Sequence, residues 1–252
     1  MEQRNLFYKM QAVILSGGKG TRLAPYTMIL PKPLVPIGHK PILDIIVRQL
    51  SYFGFFDITL TLGYLSELIQ AYFSTTNSIP SNLNLKYLRE SKPLGTAGSL
   101  GLLKKKVNAP FLVMNGDILT SLDYKNVYDY HCEKKSILTI ATYKKLVKID
   151  LGIIKADNNN NISDYIEKPE EYYNVSMGVY IYSPEVLDYI TVNEYLDFPD
   201  LVLRLIRNGE HVSCYPSDSF WLDIGRPEDL ARAQEKFEQM KNTFLPGEFG
   251  KY

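Results

Sequence analysis

Apolar and polar positions follow two periods along this chain, and their order predicts an α/β protein. Residues 12–15, Ala12-Val13-Ile14-Leu15, form an unbroken apolar run, the pattern of a strand buried on both faces. Pro41 opens a helix whose Ile42, Ile45, Ile46 and Leu50 share one face, and Gly54 is its stop signal. Residues 57–62 predict the next strand, 66–73 a helix, 84–88 a strand and 96–104 a helix. Residues 111–114 are a second apolar strand, ending in Asn115-Gly116-Asp117. Such alternation predicts a parallel α/β sheet with its ligands at the strand C-termini.

The second half mixes strands and turns. Residues 137–143, 152–155, 162–166 and 175–182 predict strands, and 158–161 a polar hairpin tip. Phe198-Pro199 opens a helix with Leu201, Val202, Leu205 and Ile206 on one face, capped by Asn208-Gly209. The last helix starts at Arg226-Pro227-Glu228-Asp229, and its stripe is Leu230, Ala233, Phe237 and Met240.

Composition removes several classes. The chain has 252 residues, 45% of them hydrophobic, enough for a substantial core. Lysine plus arginine and aspartate plus glutamate each number 28, so there is no basic excess for nucleic acid or a membrane surface. Lys104-Lys105-Lys106 reads as a solvated helix end. Cys132 and Cys214 lack zinc-ligand spacing and read as ordinary thiols, while His39, His131 and His211 are scattered. No apolar run is long enough for a membrane span, and residues 1–9 lack the apolar centre of a signal peptide. The expectation is a cytoplasmic protein with an added extension at 1–9, a domain over 10–240 and a tail over 241–252.

Chemistry concentrates after the apolar runs. Gly17-Gly18-Lys19-Gly20-Thr21-Arg22-Leu23 follows the first strand. Its glycines allow a tight turn that exposes backbone N–H groups, and Lys19 and Arg22 add charge, as a phosphate-binding loop requires. The spacing fits neither the P-loop nor the dinucleotide fingerprint. Pro31-Lys32-Pro33 is expected to hold Lys32 in an extended segment, and Pro169 to bias Lys168 of Glu167-Lys168-Pro169 the same way. Asp117 and Asp223 each follow an apolar run and stand near glycine, where two hard oxygens would hold one Mg²⁺ against substrate phosphates.

Together these pieces resemble the sugar-1-phosphate nucleotidylyltransferases (nucleoside-diphosphate-sugar pyrophosphorylases). The resemblance covers about residues 10–240. It rests on the glycine loop at 17–23, Pro31-Lys32-Pro33, Pro93-Leu94-Gly95-Thr96-Ala97-Gly98, Asn115-Gly116-Asp117, Glu167-Lys168-Pro169 and Trp221-Leu222-Asp223-Ile224-Gly225. It implies a Rossmann-like three-layer α/β/α fold with a mixed, mostly parallel central sheet. A nucleotide-binding half would span about 10–120 and a sugar-phosphate half about 121–240. It implies in-line attack of a sugar-1-phosphate oxygen on the α-phosphorus of a nucleoside triphosphate, with release of pyrophosphate and no covalent intermediate.

By matching motif, Arg22 neutralises the triphosphate, Lys32 bridges toward the transferring phosphoryl group and Lys168 holds the sugar phosphate. Leu15, Gly17, Gly18, Gly20, Thr21, Glu90, Gly95 and Thr96 meet the nucleotide. Gly152, Glu167 and Ser176 line the sugar pocket, and Asp117 and Asp223 bind Mg²⁺. Ser176 stands where many members have asparagine, and Leu151 where they commonly have tyrosine. The motifs are most similar to short mannose- and heptose-1-phosphate guanylyltransferases, so GTP is expected, with UTP, dTTP or CTP as alternatives. A non-catalytic regulatory subunit is the alternative of another class. The resemblance further implies a role in capsule or lipopolysaccharide synthesis and, at family level, a homodimer. Only about a dozen residues follow the last predicted helix, so no acyltransferase β-helix is expected.

Overall fold

The computed structural model describes residues 10–75, 80 and 82–248. The expected extension at 1–9 and the last four positions lie outside them. The first apolar run becomes β1 (Met10–Ser16), and β2 (Pro36–Ile37) and β3 (Lys40–Pro41) form a small hairpin before α1 (Ile42–Tyr52). The chain continues through β4 (Phe55–Leu62), α2 (Ser66–Thr75), β5 (Asn84–Arg89) and the one-turn α3 (Gly95–Gly98) to β6 (Phe111–Asn115). After β7 (Ile118–Thr120) and α4 (Tyr124–Lys134) come β8 (Leu138–Lys148), β9 (Ile153–Ala156), β10 (Ile162–Ile166) and β11 (Glu170–Tyr182). The chain closes with α5 (Phe198–Arg207), β12 (Val212–Ser217), β13 (Trp221–Asp223), α6 (Pro227–Gln239) and α7 (Lys241–Phe244).

A seven-stranded sheet in the order β12-β8-β11-β6-β1-β4-β5 forms the middle layer. Every pairing is parallel except the two made by β11, so β11 alone runs against the rest. This is the mixed, mostly parallel α/β sheet that the family resemblance implies, with β11 the departure from the all-parallel sheet that the alternation alone predicts. Alternation along the strands feeds two cores. Ile14 and Met114 join Ile42, Ile46 and Leu50 of α1 on one face, while Val13 and Val113 join Leu201 and Leu205 of α5 on the other.

Two expected elements change form. The helix expected over 96–104 is α3 followed by a 3₁₀ turn over Ser99–Leu103, because the tight turn at Gly95 (φ +77°) gives way to a short connector carrying Gly98 and Gly101. The strands expected over 137–143 and 175–182 run on to Lys148 and back to Glu170, forming a long antiparallel ribbon outside the body. That ribbon carries the β9–β10 hairpin, whose turn is held by the Asp157 carboxylate accepting from Asn159 N–H (2.8 Å) and Asn161 N–H (2.9 Å). At the other end, the turn of α7 buries Phe244 and Leu245 completely, with Phe244 against Phe237 and Phe220.

Candidate active site

The parallel strands β1, β4 and β6 end at one edge of the sheet. There a cleft of about 770 Å³ opens, lined by Leu15, Gly17, Gly18, Lys32, Glu90, Gly95, Thr96 and Asp117 among others. Eight of the residues expected to serve the nucleotide or the chemistry thus meet in one place. Gly20, Thr21 and Arg22 are not among the lining residues. Gly20 sits in a left-handed conformation (φ +63°) against Lys32, where a Cβ would stand 2.8 Å from the Lys32 Cβ, and its carbonyl accepts the Thr27 hydroxyl at 2.9 Å. The loop therefore folds back on itself through 3₁₀ turns at Thr21–Leu23, Tyr26–Met28 and Lys32–Leu34. Lys32 opens the last of these turns and is not in extended backbone as expected: the β conformation is taken by Pro31 before the turn and Val35 after it.

Lys32 is 8% exposed and ion-pairs with Asp117. Asp117 follows Gly116, whose N–H donates to Leu15 O at 2.9 Å and whose Cα faces the Ser16 hydroxyl. The Asp117 carbonyl accepts from Ile224 N–H at 3.0 Å, and Asp223 pairs with Ile118 across β13 and β7. This pairing brings Asp223 within the field of the Asp117 charge. Burial pushes the Asp223 carboxyl above its ordinary pKa, the Asp117 charge pushes it the same way, and Lys32 and Arg22 oppose them. The Arg22 guanidinium lies against Gly225, about 3.6 Å from where a Cβ would stand. Arg22, Lys32, Asp117 and Asp223, drawn from four separate segments, form one charged centre.

Both acids fit the donor set of a magnesium ion. Asp117 Oδ1 is buried and finds no hydrogen-bond partner among the described residues. Among the described residues no group of three or more His, Cys, Asp or Glu is placed to hold a metal ion, so a magnesium ion here would take two carboxylates and fill its remaining positions with water and phosphate. The hydroxyls of Ser16 and Ser99, which also line the cleft, are buried without partners among the described residues.

Glu90 also lines the cleft. Its Oε2 accepts the Leu94 N–H at 3.2 Å, and its Oε1 faces Gly17. Burial raises its pKa, and the Leu94 N–H partly offsets this. Thr96 reaches the cleft, but its hydroxyl is engaged, donating to Asp197 Oδ1 (3.3 Å) and accepting from Phe198 N–H (2.8 Å).

The residues expected to meet the sugar divide into two groups. Ser176 sits at an irregularity in β11, accepts from Gly178 N–H and donates to the Tyr180 hydroxyl, each at 3.2 Å. Tyr180 is buried within the field of Asp117, so Ser176 borders the charged centre. Gly152, Glu167 and Lys168 stand on the ribbon. Tyr165 donates its hydroxyl to Glu167 at 2.9 Å and packs over Gly152, where a Cβ would collide with it. Lys168 is exposed with φ +43°, left-handed where Pro169 predicted extended backbone, because the chain reverses there between β10 and β11. These three do not line the cleft.

Residues 11–240 match the family described as Nucleotidyl transferase. This chain belongs to that family. It is 34% identical over 87% of its length to the mannose-1-phosphate guanylyltransferase catalytic subunit beta of Drosophila melanogaster, covering 60% of that protein. It is 33% identical over 94% of its length to a UTP–glucose-1-phosphate uridylyltransferase of Synechocystis, covering 66% of it. The chain thus spans about two thirds or less of these curated relatives. Among solved structures, HddC from Yersinia pseudotuberculosis complexed with GMP-PN superposes with a TM-score of 0.69 at 29% identity, over 90% of this chain and 99% of that one. Among the described residues no helix is long and apolar enough to cross a membrane.

Proposed function

We propose that this family member is a sugar-1-phosphate nucleotidylyltransferase, joining a nucleoside monophosphate, guanosine first, to a hexose- or heptose-1-phosphate with release of pyrophosphate. The convergence of Arg22, Lys32, Asp117 and Asp223 beside a cleft of about 770 Å³ that Lys32 and Asp117 line carries this reading. In-line displacement at phosphorus needs little covalent help from a protein. It needs the two substrates aligned and the charge on the phosphoryl oxygens offset. The glycine loop presents N–H groups to the triphosphate, Arg22 offsets its charge and Lys32 exchanges Asp117 for a phosphoryl oxygen. Asp117 and Asp223 hold Mg²⁺, which when bound neutralises charge between the phosphates. Lys168 comes to the sugar phosphate from the ribbon.

Glu90 supports guanosine. An ionised carboxylate only accepts hydrogen bonds, and the guanine edge presents adjacent N–H donors. Uracil and thymine present one N–H between two carbonyls, which a carboxylate opposes. The relationship to a uridylyltransferase keeps UTP as the second reading. Mg²⁺-dependent pyrophosphate release, measured for GTP, UTP, dTTP, CTP and ATP against a panel of sugar-1-phosphates, tests both. GTP turnover with mannose- or heptose-1-phosphate is expected. UTP turnover alone removes the argument from Glu90 and leaves the reaction, and silence across the panel removes the reaction. Glu90→Gln, which adds a donor, should shift the base preference toward UTP and dTTP.

A further inference from the structure

The second half of the chain sends one segment, Glu194 to Phe198, back to the nucleotide cleft, across about a hundred residues of sequence. It is clamped there by its backbone. Leu196 O accepts from both Ala97 N–H and Gly98 N–H at 2.9 Å, and Leu196 N–H donates to Leu94 O at 3.0 Å. The fit is close: a Cβ on Gly95 would stand 2.6 Å from Leu196 O, and one on Gly98 2.5 Å from Glu194 O. The next residue is Asp197, and its two carboxylate oxygens do different work. Oδ1 accepts the Thr96 N–H (3.1 Å) and hydroxyl (3.3 Å), which fixes the turn forming one wall of the cleft. Oδ2 accepts the Tyr195 hydroxyl at 2.6 Å. These hydrogen bonds hold the Asp197 carboxyl below its ordinary pKa, that of Tyr195 contributing most, so the clasp is charged at neutral pH.

Tyr195 itself lines the cleft and is 61% exposed. A large aromatic ring, tethered at its hydroxyl yet open at a cleft mouth, has the form of a stacking platform. We propose that Tyr195 packs its ring on the base of the bound nucleoside triphosphate, and that Asp197 is the positioning residue that sets both this ring and the facing Gly95-Thr96 turn. The inference rests on the reading of the cleft as a nucleotide site. The two carboxylate oxygens make the ring and the wall move together, so the spacing across the base is fixed before the ligand arrives.

The test is calorimetric binding of GTP, and separately of inorganic tripolyphosphate, to the whole chain with tyrosine, alanine or phenylalanine at position 195. Stacking of one base predicts that Tyr195→Ala weakens GTP roughly 5- to 150-fold. Tyr195→Phe, which keeps the ring, should stay within a few-fold of the parent, and tripolyphosphate, which has no base, should bind all three alike. Unchanged GTP affinity in Tyr195→Ala overturns the proposal. So does equal loss of GTP and tripolyphosphate, which would assign the ring to shaping the loop. Failure of the unaltered chain to bind either ligand overturns the nucleotide reading itself. Asp197→Asn adds a second readout: the nucleotide KM should rise with kcat little changed, and Asp197→Glu should restore part of it.

Discussion

Acid should weaken this fold through one buried histidine. His131 on α4 is 1% exposed, with Nδ1 2.8 Å from the Thr139 hydroxyl and Nε2 3.0 Å from the Ser183 hydroxyl. Hydroxyls satisfy both nitrogens of a neutral ring but give a cation no counter-charge, and burial lowers the pKa to about 4. The unfolded chain takes up the proton near pH 6.5, so the folded state loses ground as pH falls from there toward 4 and no further below it. At 1.36 kcal/mol per unit, this group costs about 2 kcal/mol at pH 5 and about 3 kcal/mol at pH 4. Carboxylates also titrate in that range, so the informative quantity is a difference. His131→Gln keeps hydrogen-bonding capacity for both hydroxyls without a titrating ring. Urea unfolding of both proteins at pH 7.5, 5 and 4 should show the parent losing about 2 and then about 3 kcal/mol more than the variant. Parallel pH dependences would refute the reasoning, because they would mean that the ring is charged or exposed in the folded state.

Three further outcomes follow from the same geometry. Asp117→Ala should cut turnover by orders of magnitude and also lower the unfolding midpoint, because it leaves the buried Lys32 ammonium without its ion-pair partner; steady-state kinetics with denaturant melts checks both. Lys168→Ala should raise the KM for the sugar phosphate more than that for the triphosphate; equal losses would remove Lys168 from the sugar side. Phe244→Ala should destabilise the fold by about 3 to 5 kcal/mol, read in urea, because the ring is wholly buried between Phe237 and Phe220.

The elements legible in the sequence were those whose burial leaves a pattern. β1 and β6 are covered on both sides, so Ala12 to Leu15 and Phe111 to Met114 read as continuous apolar runs. Helix α4 buries only Tyr124, Val127 and His131, at helical spacing but too few and too polar to stand out from the charged residues between them. Strand β12 carries Pro216, which argues against a strand, yet it lies at the sheet edge where proline is tolerated. The outer ribbon exposes both faces, so its length had no periodic signal. At the site, the glycine loop, Lys32, Asp117 and Asp223 were legible because each follows or precedes a recognisable run. Tyr195 and Asp197 were not, because their meaning depends on Thr96, 101 residues away in the chain. The left-handed turn at Lys168 escaped for a similar reason: the reversal between two strands overrides the local preference set by Pro169.

The buried turn at Phe244 and Leu245 bears on how longer relatives are divided. The family match stops at residue 240, yet two side chains with almost no solvent exposure follow it. A protease or a gene fusion that separates this unit from what comes after can leave it whole only by cutting beyond Leu245. A junction placed at 240 opens a hole beside Phe237 and removes Glu248, the ion-pair partner of Arg48 on α1 and Lys40 on β3. In evolutionary terms, the point at which such a unit can be joined to a second domain is set by the buried Phe244 and Leu245, a few positions past its last recognisable motif.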